Sequence, residues 1–210
     1  MFEFNSKEAR EAFMENIVKI EWDMFQKVEG LGGRADCQDQ WPTFRIMRSS
    51  QYTDWPEEML KSYHRDLEEA NKAGRNLVTE KYAYMMESSS RDYFKTKLEP
   101  FLPQLDEEAL SMIDEITGYL VECEKAFACQ YPRLSSQGRP IEASSDTSSQ
   151  TSVETYTRGE LKTYSKDTLK LYRDYIRKSR SEGKNLALLV KEATVKMYGY
   201  ESASDAEARM

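Results

Sequence analysis

The chain has 210 residues, 39% of them hydrophobic and 32% charged, with a formal net charge of −7. That length supports a substantial core, and the charge-rich composition suits a soluble rather than a membrane protein. The acidic balance disfavours non-specific nucleic-acid binding, which runs on an excess of Lys and Arg. No apolar run approaches the length of a bilayer span, and the opening MFEFNSKEAREAF lacks the basic and apolar stretches of a secretory leader. A cytoplasmic location without membrane partners is the expectation. Cys37, Cys123 and Cys129 are odd in number and lack Cys-x-x-Cys spacing, which argues against a disulfide framework and a zinc site.

A first helix is predicted over about 6–29, with Phe13, Ile17, Val18, Ile20, Met24 and Phe25 on one broad face. Glu21 lies in the middle of that face. Because Lys19, Asp23, Gln26 and Lys27 already supply an opposite polar face, Glu21 is not there for solubility. A buried carboxylate needs a partner, a hydrogen bond or a proton. Gly30 through Gly33 open a break that runs to Pro42 and carries Arg34, Cys37, Gln38 and Asp39, with Trp41 as an anchor. The run Gly30-Leu31-Gly32-Gly33 follows a helix rather than a strand and lacks the Gly-Lys-Ser/Thr ending of a phosphate loop. A short helix over about 43–52 puts Gln51 on a face with Phe44 and Met47, bordered by Arg48.

Asp54 is then a candidate N-cap, with Pro56 near the first turn, for a helix that stops at Gly74. Asn76 caps a helix reaching about Met86. On its apolar face Leu77, Val78, Tyr84 and Met85 surround Lys81, with Tyr82 toward the edge. Pro100 and Pro103 punctuate a shorter stretch, and Asp106 opens a long helix to about Gln130 whose buried side, Ile113, Ile116, Leu120 and Phe127, also holds Glu124. From 135 to 155 the composition changes to a Ser/Thr-rich run, read as a linker, lid or disordered insertion. Helical patterning returns from 156 and ends near Gly199, before a tail over 201–210.

Sliding Trp55 onto Tyr164 brings Leu60 onto Leu169, Tyr63 onto Tyr172, Gly74 onto Gly183 and Asn76 onto Asn185. Two related helical hairpins, about 55–86 and 164–198, are implied. Each needs a positive-φ residue and then a capping side chain at its turn. Lys81 aligns with Val190, inside an uninterrupted stripe of Leu186, Leu189, Val190, Ala193 and Met197. With no alternating strand pattern anywhere, the expected fold is an all-α helical bundle. It divides into a part at 1–134 that carries the site, the 135–155 segment, and a second hairpin at 156–200.

Two inward carboxylates and an inward ammonium make a compensated set. If Lys81 pairs with Glu21 or Glu124, loss of one partner costs on the order of 3–5 kcal/mol. Each member has a plainer reading. Glu21 can serve as a structural ion pair, Lys81 can reach water past Tyr82, and Glu124 can drift to solvent on a long helix. Cys37, in a loop beside Arg34, is a better nucleophile candidate than Cys123 but lacks an evident base. His64, the single histidine, falls on the polar side of its helix, which removes Glu-x-x-His, His-rich zinc and Ser-His-Asp designs.

Five stretches taken together, EWDMF at 21–25, CQDQWPTFRIMRSSQ at 37–51, GRNLVTEKYAYMM at 74–86, ETYTRGELKTYS at 154–165 and YGY at 198–200, carry a resemblance. The chain resembles a family of bacterial proteins known only as a domain of unknown function. The resemblance spans nearly the whole length and implies no reaction, cofactor or partner.

Two functional readings follow. In one, the chain is a small enzyme or binding protein with an interhelical pocket for a small polar or anionic molecule. Glu21 and Lys81, with Cys37, are then the catalytic candidates, and Arg48, Gln51, Asp39, Glu124 and Tyr82 the ligand-binding ones, with no metal assigned. In the other, it is a helical adaptor or assembly module whose inward charges set helix register. Oligomeric state and cofactor are left open by the sequence.

Overall fold

A computed structural model describes residues 4–30, 33–147 and 149–210, which form eleven α-helices and no strand among them. Leu31 and Gly32 of the glycine-rich break, Ser148 of the Ser/Thr-rich run and the first three residues of the opening segment lie outside the described residues. Helix α1 (Lys7–Phe25) starts at Ser6, whose side chain accepts from the Ala9 amide at 3.1 Å. It stops four residues earlier than the apolar pattern predicts. Its last carbonyls are taken from outside: Gln38 Nε2 donates to Phe25 O at 2.7 Å and to Val28 O at 3.1 Å, and Asn76 Nδ2 donates to Met24 O at 2.8 Å.

Helix α2 (Trp41–Tyr52) begins two residues before the predicted start, because Pro42 is tolerated in a first turn whose amides have no helical partner. Helix α3 (Glu57–Lys72) is entered at Pro56; Asp54 does not cap it and instead accepts from Tyr175 Oη at 2.8 Å. Helix α4 (Leu77–Ser89) is capped by Asn76, as expected, with Thr79 N at 2.9 Å. The proline-punctuated stretch contains α5 (Arg91–Tyr93), a π turn and a 3₁₀ turn, and Asp106 caps α6 (Glu107–Gln130). Helix α7 (Pro132–Ser136) leads into the Ser/Thr-rich run, a 3₁₀ turn at Ala143–Ser145 lies within it, and α8 (Val153–Leu161) begins three residues before 156. Asp146 accepts from Ser152 N at 2.6 Å and from Thr155 Oγ1 at 2.5 Å, tying this run to the start of α8. Then come α9 (Lys166–Ser181), α10 (Leu186–Met197) and α11 (Ala203–Arg209), the last formed by residues read from sequence as a tail.

The two hairpins, α3–α4 and α9–α10, turn by the same chemistry. Gly74 and Gly183 have φ of 71° and 67°, a region that penalises a Cβ. Asn76 and Asn185 each cap the following helix and donate to a carbonyl of a long helix, Met24 O in α1 and Cys123 O in α6. Packing repeats the pattern. Helix α1 lies against α2, α3 and α4; α6 lies against α8, α9 and α10. The hairpins meet where α3 crosses α9, with Ser62 and Thr168 hydroxyls 2.8 Å apart in the core. Short helices are exchanged, so that α2 packs on α10 and α8 packs on α4.

Helices α4 and α8 approach closely at Gly159. A Cβ at Gly159 would stand 2.7 Å from Met85 Cγ and 2.9 Å from the backbone oxygen of Lys81. The absent side chain therefore sets the spacing that brings residue 160 beside residue 81. Gly159→Ala is expected to lower unfolding stability in urea by about 1–3 kcal/mol through overpacking against backbone. A variant as stable as wild type would show that the helices can separate freely.

Candidate functional site

Glu21 occupies the inner face of α1 and is 2% exposed. Its partner is Arg48 of α2, not Lys81. Arg48 Nε donates to Glu21 Oε2 at 3.0 Å and Nη2 donates to Oε1, giving the two-pronged pairing that guanidinium and carboxylate geometry favours. Tyr52 and Tyr63 hydroxyls each donate to Glu21 Oε1 at 2.7 Å.

The other edge of the guanidinium meets a second carboxylate. Arg48 Nη2 donates to Glu160 Oε1 at 3.0 Å and Nη1 to Glu160 Oε2 at 3.1 Å, while Nη1 also donates to Gln51 Oε1 at 2.6 Å. Every N–H of Arg48 is thus engaged. Glu160 Oε2 also receives Lys81 Nζ at 3.1 Å, and Oε1 receives Tyr164 Oη at 2.9 Å. Lys81 Nζ finally donates to Tyr156 Oη at 2.6 Å. Charges alternate along this chain, Glu21, Arg48, Glu160, Lys81, and sum to zero.

Burial by itself would weaken the charges of Glu160, Lys81 and Arg48, and each of these is rescued by its neighbours. Burial opposes the ionised Glu160, yet Arg48 and Lys81, with hydrogen bonds from Arg48 and Tyr164, hold its carboxyl well below the usual carboxylate range. Burial likewise opposes charged Lys81, but Tyr156 and Glu160 outweigh it and raise the amine, so it stays an ammonium at neutral pH. Glu160 and Glu21 do the same for Arg48. Tyr52, Tyr63 and Tyr164 are pushed up, first by burial, and remain neutral donors.

This cluster borders a cavity of about 480 Å³. Arg48, Gln51, Lys81, Tyr82, Tyr156 and Glu160 line one wall. The facing wall comes from α6 and α10, through Leu120, Glu124, Leu186, Leu189, Val190 and Lys191. The stripe on α10 predicted as uninterrupted core is accordingly only partly buried: Leu189 and Val190 face the cavity and Met197 is 44% exposed.

Glu21, Arg48, Gln51 and Lys81 are therefore brought together, with Glu160 standing between the two cations. Tyr82 lines the cavity with its ring 6.3 Å from that of Phe25. Glu124 is half-buried on the far wall and makes no ion pair with a described residue, so the expected contact with Lys81 is not formed. Cys37 is exposed at the cavity rim. Asp39 stands outside the cavity, exposed and paired with Arg34 at 2.7 Å, which also commits Arg34 away from Cys37. His64 is half-buried rather than solvated: Asn16 Nδ2 donates to its Nε2 at 2.9 Å and its ring lies 4.9 Å from Phe13. Among the described residues, no group of three or more His, Cys, Asp or Glu side chains converges as a metal site requires. No helix among them is long and apolar enough to cross a membrane.

Sequence reading misses Glu160, Tyr156, Tyr164, Tyr52 and Tyr63. A signal was present for the first three. Tyr156, Glu160 and Tyr164 are spaced by four residues inside ETYTRGELKTYS, the same inward-carboxylate pattern that marks Glu21. Starting the helical window at 156 cuts off Val153 and Thr155 and hides the face.

Removing either side of the Arg48–Glu160 pair leaves a buried charge uncompensated. Glu160→Gln is expected to lose about 3–5 kcal/mol of unfolding stability at neutral pH. Because the folded carboxyl sits below its unfolded value of about 4.3, wild-type Glu160 stabilises fully above that pH and progressively less as pH falls through it. The stability gap between wild type and Glu160→Gln should therefore narrow on acidification. A gap that is constant or widens in acid would contradict the buried, ionised assignment.

No curated protein and no solved structure matches the chain. A family model described as protein of unknown function (DUF4125) matches residues 11–208, and the chain belongs to that family.

Proposed function

We propose that this protein binds a small organic molecule in the cleft between α1, α2, α4, α8 and the α6–α10 wall. The polar head would meet the wall of Gln51, Lys81, Tyr82 and Tyr156, and an apolar body would lie on Leu120, Leu186, Leu189 and Val190. One observation carries this reading: the buried charge cluster opens onto a cavity of about 480 Å³, in the range of small-molecule sites, instead of being sealed by packing. The matching hairpins support a duplicated origin, with Val190 retained in one copy and Lys81 carried by the other.

Acid/base chemistry belongs to the same reading in a narrower form. Both oxygens of Glu21 are occupied by Arg48, Tyr52 and Tyr63, so it serves best as the anchor of Arg48. Lys81 and Tyr156 are the proton-bearing groups nearest the cleft, and Cys37 at the rim is the nucleophile within reach of a bound molecule. The adaptor reading draws support from the neutrality of the cluster, which needs no ligand for charge balance.

Filling the cleft separates the two. A thermal-shift screen of small carboxylates, amides and amines should raise the melting temperature with at least one class, since a ligand of the folded state stabilises it by about 2.7 kcal/mol at a hundredfold excess over Kd. Val190→Trp should abolish that shift. If no class acts and Val190→Trp simply stabilises the protein, the cleft is a packing defect and the adaptor reading holds.

A further inference from the structure

Two hydrogen-bond directions at the cleft wall are dictated by donor-only cations. Lys81 carries an ammonium, which has no lone pair, so Tyr156 Oη must accept from it at 2.6 Å. The hydroxyl hydrogen of Tyr156 then points elsewhere, and no described residue accepts it. Arg48 is likewise donor-only, so the Gln51 atom 2.6 Å from Nη1 is the carbonyl oxygen. The Gln51 amide nitrogen therefore faces away, again with no acceptor among the described residues. Both side chains line the cavity.

Glu21 and Glu160 are committed to protein donors, and Asp54, which also lines the cavity, accepts from Tyr175 Oη at 2.8 Å. Glu160 accepts four hydrogen bonds, two at each oxygen, from Arg48, Lys81 and Tyr164. Glu21 accepts from Arg48, Tyr52 and Tyr63 behind it. Arg139 adds to the donors: its Nη1 is spent on Thr151 at 2.9 Å, but its remaining N–H groups are not, and its guanidinium lies 5.0 Å from the Tyr156 ring. The opposite wall carries Glu124 and Lys191, which offset one another in charge.

We propose that Tyr156 and Gln51 are the specificity-determining donors of the cleft, and that its ligand presents an anionic oxygen, a carboxylate or a group of like chemistry, on an apolar body. This rests on the cleft being a ligand site at all. Arg48 and Lys81 fix which way Gln51 and Tyr156 donate: Arg48 is a positioning residue whose every N–H is already engaged, and Lys81, which lines the cleft beside Tyr156, adds its positive charge to the polar wall. The result is a receptor of neutral donors polarised by buried cations, a favourable setting for negative charge where water is excluded.

Three probes with one aromatic body test it: benzoate, benzylamine and toluene, titrated into the full chain and followed by NMR shifts of cleft residues. Benzoate should bind tightest in wild type. Tyr156→Phe, which keeps the ring beside Lys81, should weaken benzoate about tenfold while leaving toluene unchanged. Gln51→Glu places a carboxylate oxygen where the amide donor stood, and should turn the preference toward benzylamine. Tighter binding of benzylamine by wild type, or benzoate binding indifferent to both substitutions, overturns the donor assignment while leaving a ligand cleft. Failure of all three probes, toluene included, overturns the cleft reading itself.

Discussion

One guanidinium holds two carboxylates from opposite ends of the chain. Arg48, on α2, has Glu21 of α1 on one edge and Glu160 of α8 on the other, and spends all its donors on them and on Gln51 and Tyr52. At 5% exposure it has no water to fall back on. An ion pair this deep recovers its desolvation cost only if every lone pair and proton is matched, and here the tyrosines complete the matching. Helices α1 and α2 are thereby held in one register with α8, more than a hundred residues further along the chain, and so is Lys81, whose ammonium leans on Glu160.

The packing around this cluster explains where the cluster can exist. Exchange of α2 and α8 between the two hairpins delivers one polar helix to each side, and the glycine at 159 lets α8 approach α4 closely enough for a carboxylate and an ammonium to touch. The offset that carries Gly74 onto Gly183 also carries Gln51 onto Glu160, so the two side chains that flank Arg48 hold corresponding places on exchanged helices. The remaining correspondences are unequal: Lys81 faces the cleft on one side and Val190 on the other. A polar wall opposite a largely apolar one follows from that inequality.

Much of the scaffold is legible from residues alone. Asn76, Asn185 and Asp106 cap the helices they are expected to cap, because a short polar side chain before an apolar-periodic run satisfies amides that the helix leaves free. The hairpin turns are legible for a similar reason, positive φ being affordable to glycine. Glu21, Arg48, Gln51 and Lys81 stand out because each breaks an apolar face or borders one. What misleads is range. The early end of α1 depends on Gln38 and Asn76 reaching its carbonyls from elsewhere, and the fate of Asp54 depends on Tyr175, more than a hundred residues away.

The sequence by itself determined that this is an all-helical chain, where most of its helices begin and turn, and that particular charges point inward. Those are consequences of local periodicity and capping, whose physics acts over a few residues. Tertiary structure alone decided which charge answers which: Glu21 is met by Arg48 and not Lys81, Lys81 by Glu160 and not Glu124, and Asp39 is left at the surface with Arg34. Partner choice depends on distances of a few ångströms between helices remote in the chain, and periodicity within one helix carries no information about its neighbour. The cleft belongs to the same category, since a cavity is defined by what fails to fill it, and that is settled only when all the helices are packed.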